Sequence, residues 1–120
     1  MFDGYSAHVQ CDEKRTIGLG LWDTVGTDEY NQLRPLSYPN ADVVVLAFRC
    51  YGTKTQFELV TKKWLPELRK FLPDVPIVLC CTQTDRRTDG NFINDARKKN
   101  EAAKQAEDLQ YFITSKEAME

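Results

Sequence analysis

Apolar and polar positions alternate from Tyr5 to Cys11, with Tyr5, Ala7, Val9 and Cys11 on one side and Ser6, His8 and Gln10 on the other. That period of two predicts a half-buried strand. Asp12-Glu13-Lys14 is a polar turn, and the alternation resumes from Thr16 to Trp22. Ile17, Leu19 and Leu21 share one face there, while Gly18 and Gly20 share the other with Trp22 and leave room for close packing. Two such runs about a short polar turn predict an antiparallel hairpin. From Asp23 to Asn40 the pattern stops. Gly26, Pro35, Pro39 and scattered charges predict a long irregular segment with one helical turn near Glu29 to Leu33. Loops of this length in compact domains are usually functional or disordered.

Val43 to Phe48 is an unbroken apolar run, which predicts a strand buried on both faces, as in a parallel sheet. Thr55-Gln56-Phe57-Glu58 fits a capping box. Phe57, Val60, Trp64, Leu68 and Phe71 follow at helical spacing and are expected to face the core. Pro66 should kink or loosen that helix, and Pro73 and Pro76 should end it. Ile77 to Cys81 is a second buried strand, and the order strand, helix, strand calls for a right-handed crossover and a parallel sheet. Beyond Asp85 the chain turns polar. Ala96 to Leu109 is rich in helix formers, with Ala102, Ala103, Ala106 and Leu109 as a thin apolar face, and Tyr111-Phe112-Ile113 is a candidate last strand. No internal repeat, low-complexity tract or linker interrupts the chain.

Composition narrows the class. The 120 residues, 42% hydrophobic, suffice for one compact domain and are too apolar for a disordered chain. The net charge of −2 offers no basic excess for nucleic acid and no acidic tail. The run Val43 to Phe48 is too short to cross a bilayer. Met1 to Tyr5 does not read as a signal peptide, and Ala118-Met119-Glu120 carries no cysteine for prenylation, so no direct membrane anchor is expected. Cys11, Cys50, Cys80 and Cys81 with the single His8 do not converge as metal ligands. They are expected to be reduced thiols packed as small hydrophobes, in a reducing compartment such as the cytosol. Ser6 and His8 form no nucleophile motif. Arg86-Arg87 and Lys98-Lys99 are expected to be solvated faces, and no aromatic-basic stripe for RNA is present.

Candidate chemistry sits at strand ends, where ligands bind in doubly wound sheets. Asp23-Thr24-Val25-Gly26, Thr82-Gln83-Thr84-Asp85 and Thr114-Ser115-Lys116 each follow an apolar run. An acid there can hold Mg²⁺ through water, a glycine shortly after lets a backbone N–H approach phosphate, and a second acid can accept two N–H groups of a guanine edge. The competing reading is that Asp and Thr simply end strands as turn residues.

Leu19-Gly20-Leu21-Trp22-Asp23-Thr24 with Gly26, then Leu33-Arg34-Pro35-Leu36-Ser37-Tyr38-Pro39, resembles the Rho family of small GTPases. Phe2-Asp3 and Tyr5-Ser6-Ala7 are similar to the end of its switch I and the next strand. Phe57-Glu58, Lys63-Trp64 and Pro66-Glu67 are similar to its third helix. Pro76-Ile77-Val78-Leu79 with Thr82 and Asp85 is similar to the strand leading to the guanine motif. Thr82-Gln83-Thr84-Asp85 and Glu101-Ala102-Ala103-Lys104 lean toward the atypical Wrch/Chp-like branch. The resemblance is dense from Phe2 to Asp85 and weak from Arg86 onward.

The resemblance implies an α/β fold of the P-loop NTPase type. It would be a partial Ras-like G domain over 1–120, a mostly parallel sheet with an antiparallel edge hairpin, lacking the first strand, the phosphate loop and the first and last helices. It implies GTP or GDP and Mg²⁺ as ligands and GTP hydrolysis in signalling to the cytoskeleton and cell polarity. Effector kinases, exchange factors and GTPase-activating proteins are the implied partners, with a cytoplasmic protein drawn to the plasma membrane. Asp23 is similar to the Mg²⁺-linked aspartate. Thr24 and Gly26 fall at the γ-phosphate side, Thr82, Gln83 and Asp85 at the guanine motif, and Ser115 and Lys116 loosely at the last guanine loop. Phe2, Asp3, Tyr5, Trp22, Tyr30, Leu33, Arg34 and Leu36 fall where effectors and regulators dock.

Departures from the family pattern are specific. Thr27 stands where the family has the glutamine that orients the attacking water, so hydrolysis should be impaired. Gln83 replaces the usual lysine over the base. No G-x-x-x-x-G-K-[ST] occurs, so the chain is expected to begin inside switch I and to bind no nucleotide by itself. The family's first strand would lie between Thr16–Trp22 and Val43–Phe48. Without it the two either pair directly or leave buried groups unpaired, at roughly 1–3 kcal/mol each, and poor folding of the isolated chain is expected. A non-catalytic effector- or regulator-binding fragment and a gene-model artefact are the alternatives.

Overall fold

The computed structural model describes residues 2–103 and 109–112. The chain divides into two compact units, Met1–Ala41 and Asp42–Glu120. In the first, β1 (Phe2–Gln10) and β2 (Thr16–Thr24) form the expected antiparallel hairpin, in register from Phe2 opposite Thr24 to Gln10 opposite Thr16. The Asp12 carboxylate ties the turn, accepting the N–H groups of Lys14 at 2.9 Å and Arg15 at 2.8 Å and the Arg15 Nε at 2.8 Å. The Lys14 N–H, then the Arg15 side chain, hold that carboxyl below its usual range. The expected half-burial is not found: Tyr5, Val9, Ile17, Leu19, Leu21 and Trp22 are all exposed. A two-stranded ribbon has no second layer of its own to bury a face against.

After β2 the irregular segment contains two short 3₁₀ turns, Asp28–Tyr30 and Arg34–Ser37, rather than one helical turn at Glu29 to Leu33. Pro35 sits in the first turn of the second, where its missing N–H has no helical acceptor to serve.

In the second unit β3 (Val44–Arg49) and β5 (Ile77–Thr82) pair in parallel, from Val44 opposite Ile77 to Arg49 opposite Thr82. β4 (Tyr51–Thr53) and β6 (Gln110–Phe112) pair antiparallel. Each of these sheets, like the β1–β2 hairpin, has two strands among the described residues. The expected burial on both faces of β3 and β5 is not found. Val44, Leu46 and Phe48 are half-buried, but Val45, Ala47, Val78, Leu79 and Cys80 are exposed. A sheet of two strands among the described residues is too narrow to shield both of its faces.

The long helical segment is in three pieces. α1 (Lys54–Leu59) begins with a capping box two residues ahead of the expected one. Thr53 Oγ1 accepts the Gln56 N–H at 3.3 Å, and Gln56 Oε1 accepts the Thr53 N–H at 2.8 Å. β4 ends at Thr53, so that residue, rather than Thr55, stands at the strand-to-helix junction. Glu58 is left to pair with Lys62 at 2.6 Å, which lowers its carboxyl from the usual range. A π turn, Val60–Trp64, follows, with the Leu65 N–H donating to Val60 O. α2 (Leu65–Phe71) then starts with Pro66 in its first turn. The proline has no N–H to continue the α ladder, so the preceding turn widens, which is the loosening the sequence predicts. Leu68 and Leu72 are buried, whereas Phe71, expected in the core, is 45% exposed beneath the Lys70 ammonium. Beyond the helix, Arg69 Nη1 donates to Pro73 O at 3.2 Å and Val75 O at 2.9 Å, satisfying carbonyls of the turn into β5.

α3 (Gly90–Ala102) starts before the expected Ala96 and ends before Leu109. Asp89 Oδ1 accepts the N–H groups of Asn91 at 3.0 Å and Phe92 at 3.2 Å. Asp-Gly reads as a turn in sequence, but here the aspartate is the helix cap. Ala96 is buried, Ala103 is extended, Leu109 is exposed outside the helix, and Ala106 and Ile113 lie outside the described residues. Asp89→Ala is expected to lower stability by about 1 kcal/mol, read as a lower urea midpoint by far-ultraviolet circular dichroism, with Asp89→Ser close to the unsubstituted chain.

Candidate functional site

In the first unit the candidate residues gather at the end of β2. Asp23 is exposed and stands opposite Asp3 in the hairpin register. Beyond Thr24 the chain is organised by one side chain. Arg34 is 2% exposed. Its Nε donates to Val25 O at 2.8 Å, its Nη2 to Thr27 O at 3.0 Å, and both Nη atoms to Asn31 Oδ1 at 3.1 and 3.0 Å. The planar guanidinium fork can serve several acceptors in fixed directions, which an ammonium cannot. Gly26 lies between the two carbonyls so held. Tyr30 N–H donates to Thr27 O at 3.1 Å and Asn31 N–H to Asp28 O at 3.1 Å, closing the turn below. Arg34, expected on a docking surface, is thus a buried clamp of its own loop. Tyr5, Trp22, Leu33 and Leu36 are exposed, and Tyr30 is half-buried. Phe2 and Asp3 are placed by the backbone of β1.

In the second unit the chain leaves β5 through a tight connection. Cys50 N–H donates to Thr82 O at 3.0 Å, Thr82 Oγ1 to Phe48 O at 3.2 Å, and Cys50 Sγ to Gln83 O at 3.1 Å. Gln83 has φ 57° and ψ 33°, the left-handed region. There a side chain crowds its own carbonyl, at roughly 1–2 kcal/mol. The 3₁₀ turn Thr84–Arg87 follows, and Thr88 closes it by donating its N–H and Oγ1 to Asp85 O at 3.3 and 3.2 Å. Asp85 is exposed, and its carboxylate has no hydrogen bond or ion pair among the described residues. An exposed carboxylate on a fixed turn can accept paired N–H donors.

Arg86 and Arg87 are not solvated faces. The Arg86 guanidinium lies 4.4 Å from the Phe92 ring centroid, and Phe92 meets Tyr51 edge-on at 4.7 Å. Phe112 completes the cluster at 5.3 Å from Tyr51 and 6.0 Å from Phe92. Sequence reasoning misses this shelf because its members are distant in the chain and belong to no periodic stripe. Arg87 Nη2 approaches Cys81 Sγ at 3.7 Å. Burial raises the Cys81 thiol pKa, with Arg87 opposing. The thiols are not uniformly packed away: all four are free, Cys11 and Cys80 exposed, Cys81 half-buried and Cys50 fully buried. Alkylation by iodoacetamide at pH 8 should therefore modify Cys11 and Cys80 first and Cys50 last. Cys81 should lag the exposed pair, and its rate should go on climbing to a higher pH before it levels off, because the thiolate is the nucleophile and burial raises this thiol's pKa. Peptide mass spectrometry over time reads the order.

The two clusters belong to different units, and Ser115 and Lys116 lie outside the described residues. A family model of the Ras family matches residues 1–120. The chain belongs to the Ras family. Its parallel strand pair and antiparallel hairpin make it mixed α/β, part of a Ras-like G domain, and it is a Ras-like small GTPase sequence. Members of the Ras family bind GTP or GDP with Mg²⁺ and work with effectors, exchange factors and GTPase-activating proteins. The residues here fit such a ligand unevenly. The open Asp85 carboxylate suits a guanine edge. In the first unit the buried Arg34 guanidinium is engaged by backbone carbonyls, and no G-x-x-x-x-G-K-[ST] occurs in the 120 residues. No helix among the described residues is long and apolar enough to cross a membrane.

Proposed function

We propose that this Ras-family chain is of the Rho type, of the Wrch/Chp-like branch, and that its 120 residues supply base-reading and partner-docking parts without a phosphate grip. The Rho reading is supported by Leu19 to Thr24 with Gly26 and by Leu33 to Pro39. Gln83 and Glu101 to Lys104 support the branch. Residues 1–120 count as one G-domain segment. In this reading Asp85 stands at the position of the family's guanine-reading carboxylate, with Thr82 and Gln83 beside it and Ser115 and Lys116 in the last guanine loop, although base contacts alone do not hold a nucleotide on this chain. Asp23, Thr24 and Gly26 are the γ-phosphate and Mg²⁺ side. Thr27, with no amide to orient a water, leaves hydrolysis impaired. The signalling setting is the cytoskeleton and cell polarity, in the cytoplasm and at the plasma membrane.

The observation that carries the reading is the engagement of Arg34. The one fully buried cation among the described residues points at Val25 O and Thr27 O, so it neutralises backbone dipoles rather than a phosphate. Without a nest of N–H groups and a lysine, a triphosphate has nothing to compensate its lost hydration. Titrating this polypeptide at micromolar concentration into fluorescent GDP or GTP with Mg²⁺ should give no saturable signal. Saturable binding that guanosine nucleotides, but not adenosine nucleotides, compete away would overturn the proposal.

A second reading is favoured by one specific observation. Tyr5, Trp22, Leu33 and Leu36 are large, apolar and exposed within a single unit. Those positions, with Phe2, Asp3 and Tyr30, are where effector kinases and exchange factors of the Rho family would dock, and the chain would then act as a non-catalytic binding fragment.

A further inference from the structure

The turn that carries Asp85 starts at a carbonyl held by two donors. Gln83 O accepts the Arg86 N–H at 3.1 Å, which closes the first turn of the Thr84–Arg87 segment, and accepts the Cys50 thiol, also at 3.1 Å. A carbonyl oxygen has two lone pairs, so both bonds can be made together. Cys50 is fully buried, and its own N–H is fixed on Thr82 O. The thiol therefore donates from an anchored backbone. Gln83 is one of two non-glycine residues with positive φ among the described residues, the other being Asn40. A side chain holds that conformation only where its surroundings over-determine it. A buried cysteine is ordinarily a small hydrophobe, but valine would fill the space and offer no donor.

We propose that Cys50 is a positioning residue for base recognition: its thiol pins the Gln83 carbonyl, and through it the left-handed turn that presents Asp85. The proposal rests on the reading of Asp85 as the guanine-facing carboxylate. Cys50 itself touches no base. A carboxylate that must accept two N–H groups at once tolerates little displacement, because hydrogen bonds weaken steeply with angle. Fixing the turn that bears it thus sets discrimination between bases as well as local order.

Amide hydrogen exchange on the 120-residue chain, with no nucleotide present, tests the placement directly. The Arg86 N–H is compared with amides of the β3–β5 pair in the same sample. Cys50→Val should lower Arg86 protection relative to the strands by roughly fivefold, the scale of one lost hydrogen bond. Cys50→Ser keeps a donor and should stay within about twofold. Adding Gln83→Gly to Cys50→Val should restore most of the protection, since glycine adopts the left-handed turn unaided. A purely space-filling role for Cys50 would not be rescued in this way. If Cys50→Val fails to fold, the S–H stretch decides: one thiol band should be lowered by hydrogen bonding and should vanish in Cys50→Ser. Unchanged Arg86 protection in Cys50→Val, equal losses in Cys50→Val and Cys50→Ser, or the absence of a lowered band would each overturn the proposal. The readout needs no ligand, so its failure is separate from any failure of Asp85 to recognise guanine.

Discussion

Replacing Arg34 with alanine is expected to destabilise the Val25–Asn31 loop by about 3 kcal/mol. The substitution removes bonds to Val25 O, Thr27 O and Asn31 Oδ1 at one stroke. Hydrogen bonds from a charged donor are worth about 1.5–3 kcal/mol each, and the truncated site also leaves acceptors short of partners. The full sum is not reached because Thr27 is exposed and water can take over part of the work. Arg34→Lys keeps the charge but cannot fork, so roughly half the loss should remain. Exchange of the Tyr30, Asn31 and Leu33 amides reads this effect, since their bonds to Thr27, Asp28 and Tyr30 close the same turn. Their protection should fall by roughly a hundredfold in Arg34→Ala, given about 1.4 kcal/mol per factor of ten. A change below twofold would show that the loop holds its shape without the guanidinium.

The second large effect is expected from Leu68→Ala, at about 3 kcal/mol. Leu68 is 4% exposed, and among the described residues its fellow buried apolar residues are Cys50, Leu72 and Ala96. Deleting its side chain removes the transfer energy of the lost methyl groups and leaves a cavity with little other core to close over it. Small domains have about 5–15 kcal/mol in total, so this single change should remove a large part of the cooperativity of the second unit. Urea unfolding followed by circular dichroism should show a much lower midpoint, or no folded baseline at all. Leu68→Met conserves volume and should cost less than about 1.5 kcal/mol. A midpoint for Leu68→Ala equal to that of the unsubstituted chain would mean that α2 is not packed as described.

What the sequence discloses follows the range of the interactions involved. The hairpin, the parallel strand pair and the weakness at Pro66 are legible because alternation, apolar runs and a missing N–H are local signals. The start of α3 is not, because Asp89-Gly90 serves a turn and a helix cap equally well until its carboxylate finds Asn91 and Phe92. Burial is the least legible. The pattern marks Val45, Leu79 and Phe71 as apolar, but whether they are covered depends on layers that no local signal reports. At the candidate site, Asp23 and Asp85 can be found from their positions after apolar runs. Arg34 and Cys50 cannot be given their roles that way, since one reaches carbonyls seven and nine residues back and the other reaches across 33 residues to Gln83. Arg86, read as part of a basic pair, instead stacks on an aromatic shelf assembled from β4, α3 and β6.

The widened turn at Val60–Trp64 has an effect on the helix that contains it. A turn closed five residues apart instead of four accommodates one more residue than the α spacing allows, so the side chains before and after it fall out of phase by about 100°. Phe57 and Leu68 can therefore not be placed on one stripe by counting along an ideal helix. Removing a single residue between Val60 and Trp64 would restore the α spacing while leaving the two halves in the same orientation about the axis, making this short stretch the natural place for the helix to absorb a change in length.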